Sequence, residues 1–63
     1  MLPAEGDGVT LLVDVPLSHV RAGDTGVITA IRRADDTRLL YTIELDDHDG
    51  ARVDLDASQF GLD

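Results

Sequence analysis

Two segments of alternating apolar and polar residues, joined by an Asp-Gly pair, most constrain what this chain can form. In "RLLYTIEL", residues 38–45, every second residue from Leu39 to Leu45 is apolar. In "ARVDLD", residues 51–56, Ala51, Val53 and Leu55 alternate with charged residues. This period of two is typical of a half-buried β-strand. The sequence therefore predicts a β-hairpin in which Gly50 supplies the positive φ that the turn requires.

Further strands are predicted on either side of this hairpin. "VTLLVDVPL", residues 9–17, is rich in valine and leucine and predicts a strand that Pro16 ends. "TGVITAIRR", residues 25–33, predicts a second strand, with Ile31 on the face opposite Ile28. "DASQF" predicts a short helical turn capped by Asp56 or Ser58, and "FGLD" a last short strand. The expected fold is all-β, a small five-stranded antiparallel barrel with one short helical turn before the last strand.

The chain is long enough for one domain. We expect residues 1–8, "MLPAEGDG", to form a flexible N-terminal tail and residues 9–63 to form the barrel. A domain of 63 residues without cysteine has no disulfide or thiolate zinc site to strengthen it. Its small core is expected to give a stability of roughly 3–5 kcal/mol.

The formal net charge of −8 restricts the partners of the chain. A phosphate backbone and an anionic membrane surface are both repelled by an excess of carboxylates. Nucleic acid and membrane are therefore not expected as direct partners, whereas a basic protein is attracted. A halophilic or GC-rich source would also explain many aspartates and the use of arginine without lysine. There is no signal-peptide pattern and no apolar run of about 20 residues, so we expect a cytoplasmic protein.

Three motifs together resemble an uncharacterised family of short bacterial proteins with SH3-like barrels of KOW-like type. They are carried by Gly23, Gly26, Val27 and Ile28, by Tyr41, Ile43, Glu44, Leu45, Asp47, Asp49 and Gly50, and by Ser58, Gln59 and Phe60. The resemblance implies the SH3-like barrel, with Gly23, Gly26 and Gly50 as structural turn glycines, and it implies no assigned activity. The loop at residues 22–26 lacks the basic residues of nucleic-acid-binding KOW domains. Tyr41 and Phe60 are too few aromatics for a polyproline groove.

Catalytic and metal chemistry are disfavoured by the residue pattern. Ser18 and His19 are adjacent, so their side chains point apart, and His48 falls in a different predicted loop. Leu45 occupies the first ligand position of a calcium loop built on Gly50, which excludes an EF-hand. We therefore expect no enzyme, no cofactor and no dedicated metal site. Weak divalent-cation binding by Asp46, Asp47 and Asp49 stays open as an alternative.

An acidic surface is the remaining candidate for function. Its residues, which lie on the predicted central hairpin, are Asp35, Asp36, Glu44, Asp46, Asp47, Asp49 and Asp54. They predict a non-enzymatic protein-interaction module that binds a basic partner, such as a nucleic-acid-binding protein. The alternative is a structural or accessory subunit that docks on a larger enzyme or complex by strand addition or apolar contact.

Overall fold

The computed structural model describes residues 2–47 and 49–63 and contains one antiparallel sheet of five strands. The order across the sheet is β4-β3-β2-β1-β5, and each neighbouring pair is antiparallel. The strands are β1 (Gly8–Leu11), β2 (Thr25–Asp35), β3 (Arg38–Leu45), β4 (Arg52–Leu55) and β5 (Phe60–Leu62). The prediction of an all-β fold is confirmed. Within the described residues, no helix is long and apolar enough to cross a membrane.

The sheet is strongly curved around one core. Tyr41 of β3 and Phe60 of β5 are three strand spacings apart in the sheet order, which in a flat sheet would be about 14 Å. Their ring centroids are only 5.3 Å apart, in an edge-to-face arrangement. The sheet therefore bends until its two ends share a core, although no ladder joins β4 to β5 in the described part of the chain.

All five strands contribute side chains to this core. Tyr41, Ile43 and Leu45 are buried on β3, as the alternation predicts, while Leu39 is exposed beyond the end of the core. The buried residues are Val9, Leu11, Val20, Ile28, Tyr41, Ile43, Leu45, Val53, Leu55 and Phe60. The alternation in β3 and β4 therefore predicts the core face of both strands.

A β-bulge in β2 changes which residues face the core. The register with β3 shifts between Ile28 and Ala30, so that Thr29 is the extra residue. Ile28 pairs with Ile43 and Ile31 pairs with Tyr41, and Ile31 packs against the core. Directly paired residues share a face, so the bulge places Ile31 on the same side as Ile28. The expectation that they lie on opposite faces was wrong, because simple alternation does not continue across a bulge.

The first strand is shorter than the sequence predicts. β1 ends at Leu11, whose N–H and carbonyl bond to Asp24 and Gly23, both at 2.8 Å. The chain then leaves the sheet in a loop that contains an isolated bridge between Val15 and Val20 and a short 3-10 helix, Pro16–Ser18. Pro16 begins this helical turn instead of ending a strand, a position that its fixed φ favours.

The connection before the last strand is a tight turn, whereas the sequence predicts a helical turn there. The N–H of Gln59 donates to the carbonyl of Asp56 at 3.0 Å. The Asp56 carboxylate accepts the N–H of Ser58 at 2.9 Å and also its hydroxyl. Such a side-chain bond to the residue two positions on stabilises a turn as readily as a helix start.

The residues just before β1 contact the sheet. The sequence predicts a flexible tail up to residue 8, but Gly8 already belongs to β1. The N–H of Gly6 donates to the carbonyl of Ile28 at 2.8 Å, and the N–H of Ile28 donates to the carbonyl of Asp7 at 3.0 Å. These two bonds extend the pairing with β2 to the residues that precede β1.

Candidate functional site

The loop between β3 and β4 carries the densest group of carboxylates. The N–H of Leu45 donates to the carbonyl of Ala51 at 2.9 Å and closes the loop at its base. Asp49 and Gly50 both have left-handed backbone conformations, with φ of 51° and 77°. A left-handed backbone is easy for glycine and tolerated by aspartate, which explains their place in the turn. His48 lies outside the described residues.

Asp46 is held in place by the start of β2. Its N–H donates to the Thr25 carbonyl at 3.0 Å, and its carboxylate accepts the Thr25 hydroxyl at 2.8 Å. Asp24 precedes Thr25, and its carboxylate accepts the backbone N–H of Arg21 at 2.9 Å. The Thr25–Asp46 contacts therefore bring the loop that carries Asp24 against the loop that carries Asp46, Asp47 and Asp49, and we call these four residues the acidic end.

Asp35 and Asp36 lie at the other end of the sheet, where Asp35 ends β2 and Asp36 begins the turn to β3. The eight residues of β3 separate them from the acidic end, a distance of roughly 23 Å. The Asp35 carboxylate accepts the Thr37 backbone N–H at 2.9 Å, and this bond lowers the pKa of Asp35. Asp35 and Asp36 thus form a second, separate acidic position.

Glu44 and Asp54 are paired with arginines on the outer face of the sheet. Arg52 lies 3.3 Å from Glu44, and Arg32 lies 2.7 Å from Asp54. The Thr42 hydroxyl also donates to Asp54 at 2.6 Å. Exposed ion pairs of this kind contribute about 1 kcal/mol or less. Their main effect is to neutralise both carboxylates locally, so the seven carboxylates of the sequence-predicted surface do not form one continuous patch.

Two open grooves lie elsewhere on the surface, and other carboxylates line them. One of about 270 Å³ lies in the β1–β2 loop, lined by Asp14, Pro16, His19, Val20 and Arg21. His19 has a left-handed φ of 56°, and no side-chain hydrogen bond joins it to Ser18. The other, of about 280 Å³, is lined by Thr37, Arg38, Leu39, Tyr41, Asp56 and Ala57. Among the described residues, no three acidic or histidine side chains are arranged to hold a metal ion.

Sequence reasoning missed Asp24, which belongs to the acidic end, and Thr25, whose hydroxyl binds Asp46. Asp24 ends the β1–β2 loop and Thr25 begins β2, and the interval of 21 or 22 residues from Asp46 gives no local pattern that links them to it. The pairing of Gly26 with Leu45 brings the two loops together, and that pairing is a tertiary property of the sheet. A threonine at the start of a strand is too common a feature to indicate a carboxylate contact.

Comparison with known proteins gives no further assignment. No family model, curated protein or solved structure matches this chain.

Proposed function

We propose that this chain is a non-enzymatic interaction module that binds a basic protein segment through its acidic end. The observation that carries the proposal is that some carboxylates pair with an arginine and others do not. Glu44 and Asp54 are neutralised by Arg52 and Arg32, whereas no ion pair involves Asp47 or Asp49 in the described part of the chain. The end of the sheet that bears the β3–β4 loop therefore carries two carboxylates, Asp47 and Asp49, that have no arginine partner among the described residues.

The positions of the arginines support the same uneven distribution of charge between the two ends of the molecule. Arg32, Arg33 and Arg38 lie on the arm formed by the far ends of β2 and β3, residues 30–40, which also carries Asp35 and Asp36. The arm is close to neutral, so a positively charged segment is attracted to the opposite end of the molecule. Such a field speeds encounter with a basic partner and sets the orientation of approach.

We also propose that the chain is one of the small SH3-like barrels, and the fold supports this part of the proposal. Five antiparallel strands curve around a single core and leave the loops exposed at both ends. A scaffold of this kind presents binding residues on loops held by a rigid sheet. The proposed setting is the cytoplasm, where basic nucleic-acid-binding proteins provide partners of the required charge.

The test is an NMR titration of the isotopically labelled protein with an arginine-rich peptide. We expect amide shifts at Thr25 and at residues 46–50, and little change at Asp35 and Asp36. Binding should weaken steeply with salt, because the screening length falls from about 10 Å at 0.1 M to about 3 Å at 1 M.

Two charge-matched variants locate the site. Replacing both Asp47 and Asp49 by asparagine removes two charges from the acidic end and keeps turn-forming side chains. Each lost contact of about 1 kcal/mol reduces affinity roughly fivefold. The control replaces Asp35 and Asp36 by asparagine, which removes the same charge from the arm. Equal losses in the two variants would show that only net charge matters and would contradict the proposed site.

One structural observation favours a second candidate, an accessory subunit that docks by strand addition. β1 pairs with β2 only at residues 25–27, and the turn before β1 reaches no farther than Ile28. From Ala30 to Asp35, β2 has β3 on one side and no other strand among the described residues. An unpaired edge can accept a strand from another chain. Docking there would depend little on salt, which distinguishes it from binding at the acidic end.

A further inference from the structure

The chain contains the dipeptide Asp-Gly twice, in two very different surroundings. Asp7-Gly8 precedes and begins β1, and Asp49-Gly50 lies in the β3–β4 loop. In such dipeptides the glycine amide nitrogen can attack the aspartate Cγ, because glycine has no side chain to hinder the approach. The reaction requires rotation of the backbone between the two residues and an accessible carboxyl group. The two copies therefore provide an internal comparison within one molecule.

The first copy is restrained by the fold. The Asp7 carboxylate accepts the N–H of Ala4 at 2.8 Å, and the Asp7 carbonyl accepts the N–H of Ile28 at 3.0 Å. Gly8 pairs with Val27 in the β1–β2 ladder, and its carbonyl accepts the N–H of Asp63 at 3.0 Å. Rotating the Asp7 backbone toward the geometry of attack breaks several of these bonds together.

The second copy has none of these restraints. Asp49 and Gly50 are exposed, and neither forms a hydrogen bond with any described residue. Among the described residues, apart from the chain neighbours of Gly50, no atom lies within 4 Å of the position that a Gly50 Cβ would occupy, which leaves room for a planar ring. Asp49 also has a left-handed φ of 51°, a conformation of higher energy for a residue with a side chain.

We propose that Asp49-Gly50 is a site of spontaneous modification, at which the main chain isomerises through a succinimide to isoaspartate. The Gly50 nitrogen forms a bond to Asp49 Cγ, and one carboxylate oxygen leaves as water, taking the amide proton and a second proton from solvent. Water then opens the ring. Attack at the Cγ carbonyl restores aspartate, and attack at the main-chain carbonyl leaves the chain running through the former side chain. The net mass and the formal charge are unchanged.

The modification alters the loop without altering its charge. The isomerised residue adds a methylene to the main chain inside the loop that the Leu45–Ala51 hydrogen bond closes. The free carboxylate moves to the former main-chain carbon and is displaced from its original direction. This inference concerns the chemistry of the loop and stands whether or not the acidic end binds a basic partner.

The experiment is prolonged incubation of the folded protein at neutral pH, followed by proteolysis and mass spectrometry with electron-transfer fragmentation to locate isoaspartate. Methylation by an isoaspartyl methyltransferase gives an independent count. We expect isoaspartate at residue 49 to exceed that at residue 7 by roughly tenfold or more, because hydrogen bonds must break before Asp7 reacts. Incubation of the unfolded chain in guanidinium chloride should bring the two rates together, since both sites share the same dipeptide.

Matched variants extend the comparison. Asp49→Asn and Asp7→Asn lose ammonia through the same ring, and the accompanying mass change reports each rate directly. Asp49→Glu requires a six-membered ring and should abolish the modification at this site. Equal rates at the two sites in the folded protein, or no isoaspartate at residue 49, would overturn the proposal.

Discussion

Replacing Gly26 by alanine tests how closely β2 and β3 approach each other. A Cβ at this position would lie 2.5 Å from the carbonyl oxygen of Glu44 and 2.8 Å from Ile43 Cγ2. The first contact is with backbone, which cannot rotate away as the end of a flexible side chain can. Gly26 is also buried, so the strain cannot be relieved by movement into solvent.

The expected cost follows from the size of this overlap. Inserting one extra carbon into a packed region typically costs 1–3 kcal/mol, and contact with backbone favours the upper part of that range, about 2–3 kcal/mol. A domain of this size has roughly 3–5 kcal/mol in total. The variant should therefore lose about half of its stability, and its Tm should fall by roughly 10–20 °C.

The assay is urea unfolding followed by circular dichroism, with Gly61→Ala as the matched control. Gly61 also lies in a strand, opposite Thr10, and in the described part of the chain only its own neighbours come within 4 Å of an added Cβ. Alanine there should be neutral or stabilising by up to about 1 kcal/mol, because it restricts the unfolded chain. If the two variants had similar midpoints, the close approach of the Glu44 carbonyl would not be the reason for glycine at position 26.

Two further predictions concern the turns and the core. The hydroxyl and N–H of Ser58 lower the pKa of Asp56, and the Thr37 N–H lowers that of Asp35, so both carboxylates stabilise the fold when ionised. That contribution is complete above the unfolded pKa of about 3.9 and is lost as the pH falls through the lower folded values. Urea midpoints measured from about pH 6 to about pH 3 should decrease less in an Asp35→Asn, Asp56→Asn double variant than in the parent chain, and equal decreases would contradict this account. Phe60→Leu removes the ring contact with Tyr41 and should cost about 1–2 kcal/mol. The Tyr41 ring protons should shift in the same variant, and unchanged shifts would argue against the curvature that joins β3 to β5.

The β3–β4 hairpin is the part of the fold that the sequence alone predicts best. Alternation from Tyr41 to Leu55 identifies the buried face of both strands, and the structure buries those residues. The position of Gly50, with its positive φ, follows from the same local pattern. Both properties depend on residues that are near neighbours in the chain, which is why a period of two and a turn dipeptide reveal them.

The candidate site could be predicted only in part. The sequence identifies the carboxylates of the β3–β4 loop, but it groups them with Asp35 and Asp36, which the length of β3 holds at the opposite end. It also gives no indication that Arg32 neutralises Asp54, because that contact joins β2 to β4 across the intervening strand. Carboxylate identity is a local property, whereas the charge that a partner meets depends on which strands lie side by side.

The sequence by itself determined the all-β class, the central hairpin and the core face of its two strands, since each follows from local alternation and turn chemistry. Tertiary structure decided the bulge that turns Ile31 inward, the short β1, and the contact of Thr25 with Asp46. It also gave Gly26 its role, since this residue lies within β2 and permits a close approach instead of forming a turn. These features depend on the register and curvature of strands that are distant in sequence. The free energy of that packing comes from contacts between several strands, so the sequence of one segment does not predict it.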